Sequence, residues 1–227
     1  MSNTPQPPVA SRRPHSLRAH GDERVDDWYW LRDRTDPDVI AYLDAENAYT
    51  AAALAPTEPL RQEIYDEIVA RVQETDVSAP AHRGEWDYFV RTEERRQYAI
   101  HGRRPRGAPE GVDESILFDE NVAAQGHGYF SLGSAAVSPN QELLAYAVDH
   151  VGDERFELRV RDLAAGADLS DVVADTYYGL AWANDNSTLF YVRPDDATRP
   201  HQVWRHTIGS PVATDVLVFE DPDEHFF

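Results

Sequence analysis

The 227-residue sequence predicts a mainly β protein, an incomplete β-propeller of about three blades preceded by an N-terminal helical segment. Three observations carry this expectation. Apolar residues recur at helical spacing between Pro37 and Val72. From about Ala79 that period disappears, and short β-rich segments follow, separated by Gly, Asn, Asp and Pro. Within the β region the sequence resembles itself at a spacing of about 45 residues, the length of one propeller blade.

In chain order, residues 1–14 are rich in Pro, Ser, Asn and Gln and poor in large apolar groups, so they bury too little to offset the entropy of ordering. A flexible tail is expected there. Residues 15–78 form the helical segment. Asp36 is placed to cap a helix whose first position is Pro37, where a missing N–H costs nothing. Val39, Tyr42, Leu43, Glu46 and Tyr49 continue it, and it should end near Pro56. Thr57 is the expected cap of a second helix, in which Leu60, Ile64, Ile68 and Val72 form one apolar stripe. Two helices alone leave that stripe unburied. The aromatic run Trp28-Tyr29-Trp30 reads as packing, because rings bury large area while Trp and Tyr tips find polar partners.

Residues 79–227 form the expected propeller, with strands at Trp86 to Arg91, Tyr98 to Gly102, Leu143 to Val148, Glu157 to Leu163, Thr188 to Arg193 and Gln202 to Ile208. Ser138 to Tyr146 aligns with Ala183 to Tyr191; at the same offset Leu158 to Leu163 falls on Val203 to Ile208, and Val172 to Asp175 on Leu217 to Glu220. Three strands keeping register is rarely a coincidence. A degenerate earlier copy is visible in Tyr88 to Arg91 and Ile116 to Glu120. Rings close with roughly 4 to 8 blades, so about three form an open stack. Asp223 to Phe227 reads as the opening strand of a further blade.

Composition excludes several functions. A net charge of -20 disfavours nucleic acid and anionic lipid and favours cationic partners. All the basic residues are arginine. With no cysteine there is neither disulfide nor thiolate chemistry, and no apolar run approaches the roughly 20 residues of a membrane span. A soluble, cytoplasmic protein is expected.

No catalytic, cofactor-binding or metal-binding residue is assigned. A hydrolase nucleophile on a strand-to-helix elbow needs glycines on both sides, as in G-x-S-x-G, and Ser131, Ser134 and Ser210 lack that context. The histidines show no metal spacing, and no Gly-rich phosphate cradle occurs, so no cofactor is expected. Asp221, Asp223, Glu224 and His225 lack the glycine and alternation of a calcium loop and read as a solvated turn, as do Asp185-Asn186 and Asp195-Asp196.

Several runs nevertheless resemble a known family. Pro14-His15, His20 to Asp33, Val39 to Leu43 and Glu46 to Tyr49 are similar to the N-terminal signature of the prolyl oligopeptidase family of serine peptidases. Ile64 to Arg71, Val77 to Pro80, Trp182 to Asp185 and Gln202 to Gly209 resemble its oligopeptidase B group. The resemblance implies a seven-bladed propeller that covers an α/β-hydrolase domain, with residues 15–78 packing on that domain. It implies cleavage of short peptides after Arg or Lys. The triad and the acidic residues that receive the basic side chain would lie C-terminal to everything present, so none transfers to a position here. The chain is expected to be inactive without the missing hydrolase domain, with short basic peptides reached only through the complete enzyme. The alternative expectation is a stand-alone propeller-like module that binds a protein or peptide.

Overall fold

The computed structural model describes residues 6–225 and divides into two compact units, residues 1–72 and 73–227. The first unit opens with an antiparallel hairpin of β1 (His15–Ala19) and β2 (Asp22–Asp26). Nothing in the apolar pattern announced this hairpin, because it is exposed on both faces and held by Arg18–Glu23 and Arg24–Asp22 pairs at its surface. Of the expected tail, residues 1–5 lie outside the described residues. Further along, the Ser11 carbonyl accepts from Trp30 Nε1 (3.0 Å), the Arg13 N–H donates to the Asp27 carbonyl (2.8 Å), and the Arg13 guanidinium covers the Trp30 ring at 4.1 Å. Trp30 thus packs against the segment before β1, and Tyr29 stacks on His15 at the start of β1.

Helix α1 spans Pro37–Leu54, with Asp36 Oδ1 accepting from the Asp38 N–H at 2.8 Å as the cap. Asp36→Ala removes that acceptor and is expected to cost about 1 kcal/mol, read as faster amide exchange over residues 38–41. A short 3-10 turn (Ala55–Thr57) leads into α2 (Glu58–Val69). Here the structure corrects the sequence reading: Thr57 does not cap α2. Its backbone is already helical, and its hydroxyl donates to the Leu54 carbonyl at 2.7 Å, because the turn runs into α2 without the extended residue a cap requires. Leu60, Ile64, Ile68 and Val72 are exposed.

The second unit is built from three antiparallel sheets in sequence. The first holds β3 (Asp76–Val77), β4 (Ala81–Arg83), β5 (Trp86–Thr92), β6 (Ile100–Pro105) and β7 (Ser115–Asp119); β3 and β4 both pair with β5, on either side of Pro80, which has no N–H to give. After a short helix α3 (Glu120–Ala123) comes a four-stranded meander of β8 (Ser131–Val137), β9 (Leu143–Asp149), β10 (Phe156–Asp162) and β11 (Ala167–Thr176). The third sheet repeats it with β12 (Leu180–Trp182), β13 (Thr188–Pro194), β14 (Pro200–Thr207) and β15 (Val216–Glu220). These are the three blades. Four expected strands coincide with β5, β9, β10 and β13 to within a residue or so, whereas Tyr98 to Gly102 moves forward to β6 and Gln202 to Ile208 begins earlier, at Pro200. Among the described residues every strand pairing is antiparallel. The expected opening strand of a further blade is coil and turn through His225, and Phe226 and Phe227 lie outside the described residues.

The period of two along β9 explains how the blades stack. Leu144, Tyr146 and Val148 face the first blade and join Leu117, Phe118, Phe130 and Val137 in one core cluster. Ala145 and Ala147 face the third blade and join Phe156, Leu158, Val160, Val173, Leu189 and Tyr191 in another. Small alanines fit on that side because Phe156 and Tyr191 fill the seam. Strand β9 is therefore buried on both faces, whereas β15 is exposed along its whole length. The turns repeat as well: Gln141 and Asn186, equivalent positions of successive blades, both adopt positive φ (66° and 62°).

Candidate functional site

Polar contacts cross both seams between the blades of the second unit. Between the first and second blades, Arg103 lies over the Trp86 ring (4.1 Å) and donates to the Gln141 carbonyl at 2.6 Å. An apolar recess of about 230 Å³ opens beside it, lined by Ala79, Ala81, Val90, Ala135, Val137 and Leu144. Between the second and third blades the ties are denser. Trp182 Nε1 donates to the Ala136 carbonyl (2.9 Å), the Asn140 N–H to Asn186 Oδ1 (2.7 Å), and Arg155 to the Asp195 carbonyl (2.7 Å).

The same seam holds a buried cluster that the sequence reading missed. His206, on β14, is only 1% exposed. Its Nε2 lies 3.0 Å from Asp171 Oδ1 on β11 of the second blade, and its Nδ1 lies 2.7 Å from Asp215 Oδ1 just before β15. Tyr191 OH donates to the other Asp215 oxygen at 2.8 Å, and the Gly209 N–H donates to Asp171 Oδ1. Burial opposes a charge on the His206 ring, but the hydrogen bonds to Asp215 and Asp171 outweigh it, and its pKa stands above the usual 6.5. One signal was available. Tyr146 and Tyr191 occupy the same repeat position, and Tyr146 OH likewise donates to a carboxylate on its blade's last strand, Asp168 (2.8 Å). Burial, with help from Asp168, pushes the Tyr146 hydroxyl up to about 12.

The serines considered as nucleophiles have structural surroundings. Ser131 opens β8, Ser134 Oγ accepts from the Gly179 N–H across the seam (3.4 Å), and Ser210 Oγ donates to the Thr207 carbonyl. The hydroxyl of buried Ser138 donates to Asn140 Oδ1 and accepts from the Leu143 N–H. Among the described residues no hydrogen bond joins a serine hydroxyl to a histidine ring, and no three His, Asp or Glu side chains converge as a metal site. Asp221 and Asp223 accept from the N–H groups of Asp223 and His225, and Arg199 donates to their carbonyls, so this cluster is a turn tied by one arginine. The backbone N–H of Ser187 does most to hold Asp185 below the usual carboxylate range, and that of Arg199 does the same for Asp195. Among the described residues no helix is long and apolar enough to cross a membrane.

Comparison with known proteins agrees with this architecture. The family model described as "Prolyl oligopeptidase, N-terminal beta-propeller domain" matches residues 7–227. Dipeptidyl aminopeptidase BI of Pseudoxanthomonas mexicana is 38% identical over 97% of this chain, and Protease 2 of Moraxella lacunata 35% identical over 96%. The solved oligopeptidase B of Leishmania major superposes with a TM-score of 0.90 at 29% identity over 96% of the chain. That of Trypanosoma brucei, solved in closed form with covalently bound antipain, gives 0.87 at 34% over the same share. The chain spans about a third of the length of each, 33% and 32% of the two relatives and 33% of both solved chains. Matched along nearly its whole length, with three antiparallel blades stacked in order, the chain belongs to the prolyl oligopeptidase family and corresponds to its N-terminal propeller region, of the oligopeptidase B kind.

Proposed function

We propose that this chain is the substrate-gating part of an oligopeptidase B-like serine endopeptidase, one that in complete form cuts short peptides after Arg or Lys in the cytosol. Residues 15–78 would pack on the C-terminal hydrolase domain, and residues 79–227 would supply part of the lid over its active site. No residue of the chain is assigned a catalytic, cofactor or metal role. The observation that carries this reading is the stack of three successive blades, each buried against the next, in a chain similar to the front third of such peptidases. Two further facts support it. The net charge of -20 suits a cationic peptide, and the serines near glycine are engaged in turns and seams. Acyl transfer needs a nucleophile, its base and an oxyanion hole acting together, and among the described residues no serine hydroxyl is hydrogen-bonded to a histidine ring, so the chain by itself is expected to be inert.

The test is direct. The purified chain is expected to release no chromophore from an Arg-containing chromogenic peptide and to take up no serine-directed fluorophosphonate label. Turnover above the uncatalysed rate, or stoichiometric labelling, would overturn the assignment.

A further inference from the structure

The ring of His206 sits between two carboxylates that are already accepting other hydrogen bonds. Asp215 receives the Tyr191 hydroxyl on Oδ2, which leaves Oδ1 to face His206 Nδ1, and Asp171 Oδ1 receives the Gly209 N–H as well as facing Nε2. A neutral imidazole donates from only one nitrogen and would set the other nitrogen's lone pair against a carboxylate oxygen. Between two ionised carboxylates, only the doubly protonated ring satisfies both contacts. The two carboxylates belong to different blades: Asp171 lies on the last strand of the second, and Asp215 immediately precedes the last strand of the third. We propose that His206 is held as an imidazolium that latches the second blade to the third, so that removal of one proton from this ring loosens the seam.

The ionisable groups facing the ring are Asp171 from β11, Asp215 from the turn after Val212–Thr214, and Tyr191 from β13; Arg193 lies beyond, 5.6 Å from the Tyr191 ring. Those contacts fix the sign of the pH response. With its pKa raised above the 6.5 of a free imidazole, the folded chain holds this proton more tightly than the unfolded chain. The latch therefore contributes fully below the unfolded value and is lost as pH climbs through the higher native value. Leaving a buried carboxylate without its donor is the costly event.

Two measurements on the whole chain test the latch. Long-range nitrogen–proton correlation spectra, with the His206 ring assigned through sequential connectivities, are expected to show protons on both ring nitrogens at pH 7.5. Unfolding midpoints are expected to fall above neutral pH with a slope of about one proton per molecule. Asp171→Asn gives the second arm. Both contacts fall on one oxygen, so an asparagine Oδ1 still accepts from Gly209 and from Nε2–H but brings no charge; the ring loses one of its two counter-ions, and the alkaline slope should shrink. A neutral His206 in the parent chain at pH 7.5, or an alkaline slope unchanged in Asp171→Asn, would overturn the proposal.

Discussion

Phe156→Ala is expected to lower the unfolding free energy by about 3–5 kcal/mol, the usual cost of deleting a buried ring whose site cannot collapse. Phe156 is 1% exposed at the start of β10, lies edge-on to Tyr178 with ring centres 4.8 Å apart, and belongs to the core cluster shared by the second and third blades. Its ring also occupies the space a side chain would need at residue 133. A Cβ built on Gly133 would fall 2.4 Å from the Phe156 ring, so Gly133→Ala should itself cost about 1–3 kcal/mol through overpacking. The two changes touch the same space and should not add. In the Phe156→Ala background the cost of Gly133→Ala should fall substantially, a coupling that urea unfolding followed by tryptophan fluorescence measures directly. Strictly additive costs would mean that the glycine serves something other than this ring.

Asp149→Ala is the second substitution with a large expected effect, about 3 kcal/mol. Asp149 ends β9 and is 2% exposed. Its Oδ1 accepts from the N–H groups of Val151 (2.7 Å) and Gly152 (2.8 Å), and its Oδ2 from that of Glu154 (3.0 Å), so one carboxylate closes the whole β9–β10 connection. Burial pushes this carboxyl up, but the N–H groups of Gly152, Val151 and Glu154 outweigh it and hold it below the ordinary 3.8. A depressed native pKa contributes stability that is present above the unfolded value and is lost as pH falls through the lower native value. Stability measured between neutral pH and pH 3 should therefore decline less steeply for Asp149→Asn than for the parent chain. An identical acid limb in both would remove Asp149 from this role.

The legible parts of the fold were those set by local pattern. Pro37 after Asp36 marks the start of α1 because the fixed φ and the short carboxylate act within one turn. The short apolar run Leu143 to Val148 after the Pro139-Asn140 turn marks β9, and Asp185, Asp195 and Asp223 mark turns because each carboxylate binds backbone two to four residues away. By contrast, β8 went unread because Ser131 to Val137 is mostly small residues with weak strand preference, held instead by pairing with β9. The hairpin β1–β2 carries no apolar face, and Thr57 looked like a cap until the backbone before it proved helical.

The sequence by itself determined that the chain alternates strands and turns on a blade-length repeat after two helices, since side-chain periodicity and turn chemistry act over a few residues. Only the tertiary structure decided which faces meet. It set Ala145 and Ala147 against the third blade, fitted Phe156 over Gly133, and brought Asp171, His206 and Asp215 together. Those partners lie up to 44 positions apart, and a buried imidazole between two carboxylates depends on the register of separate strands, which no local spacing specifies.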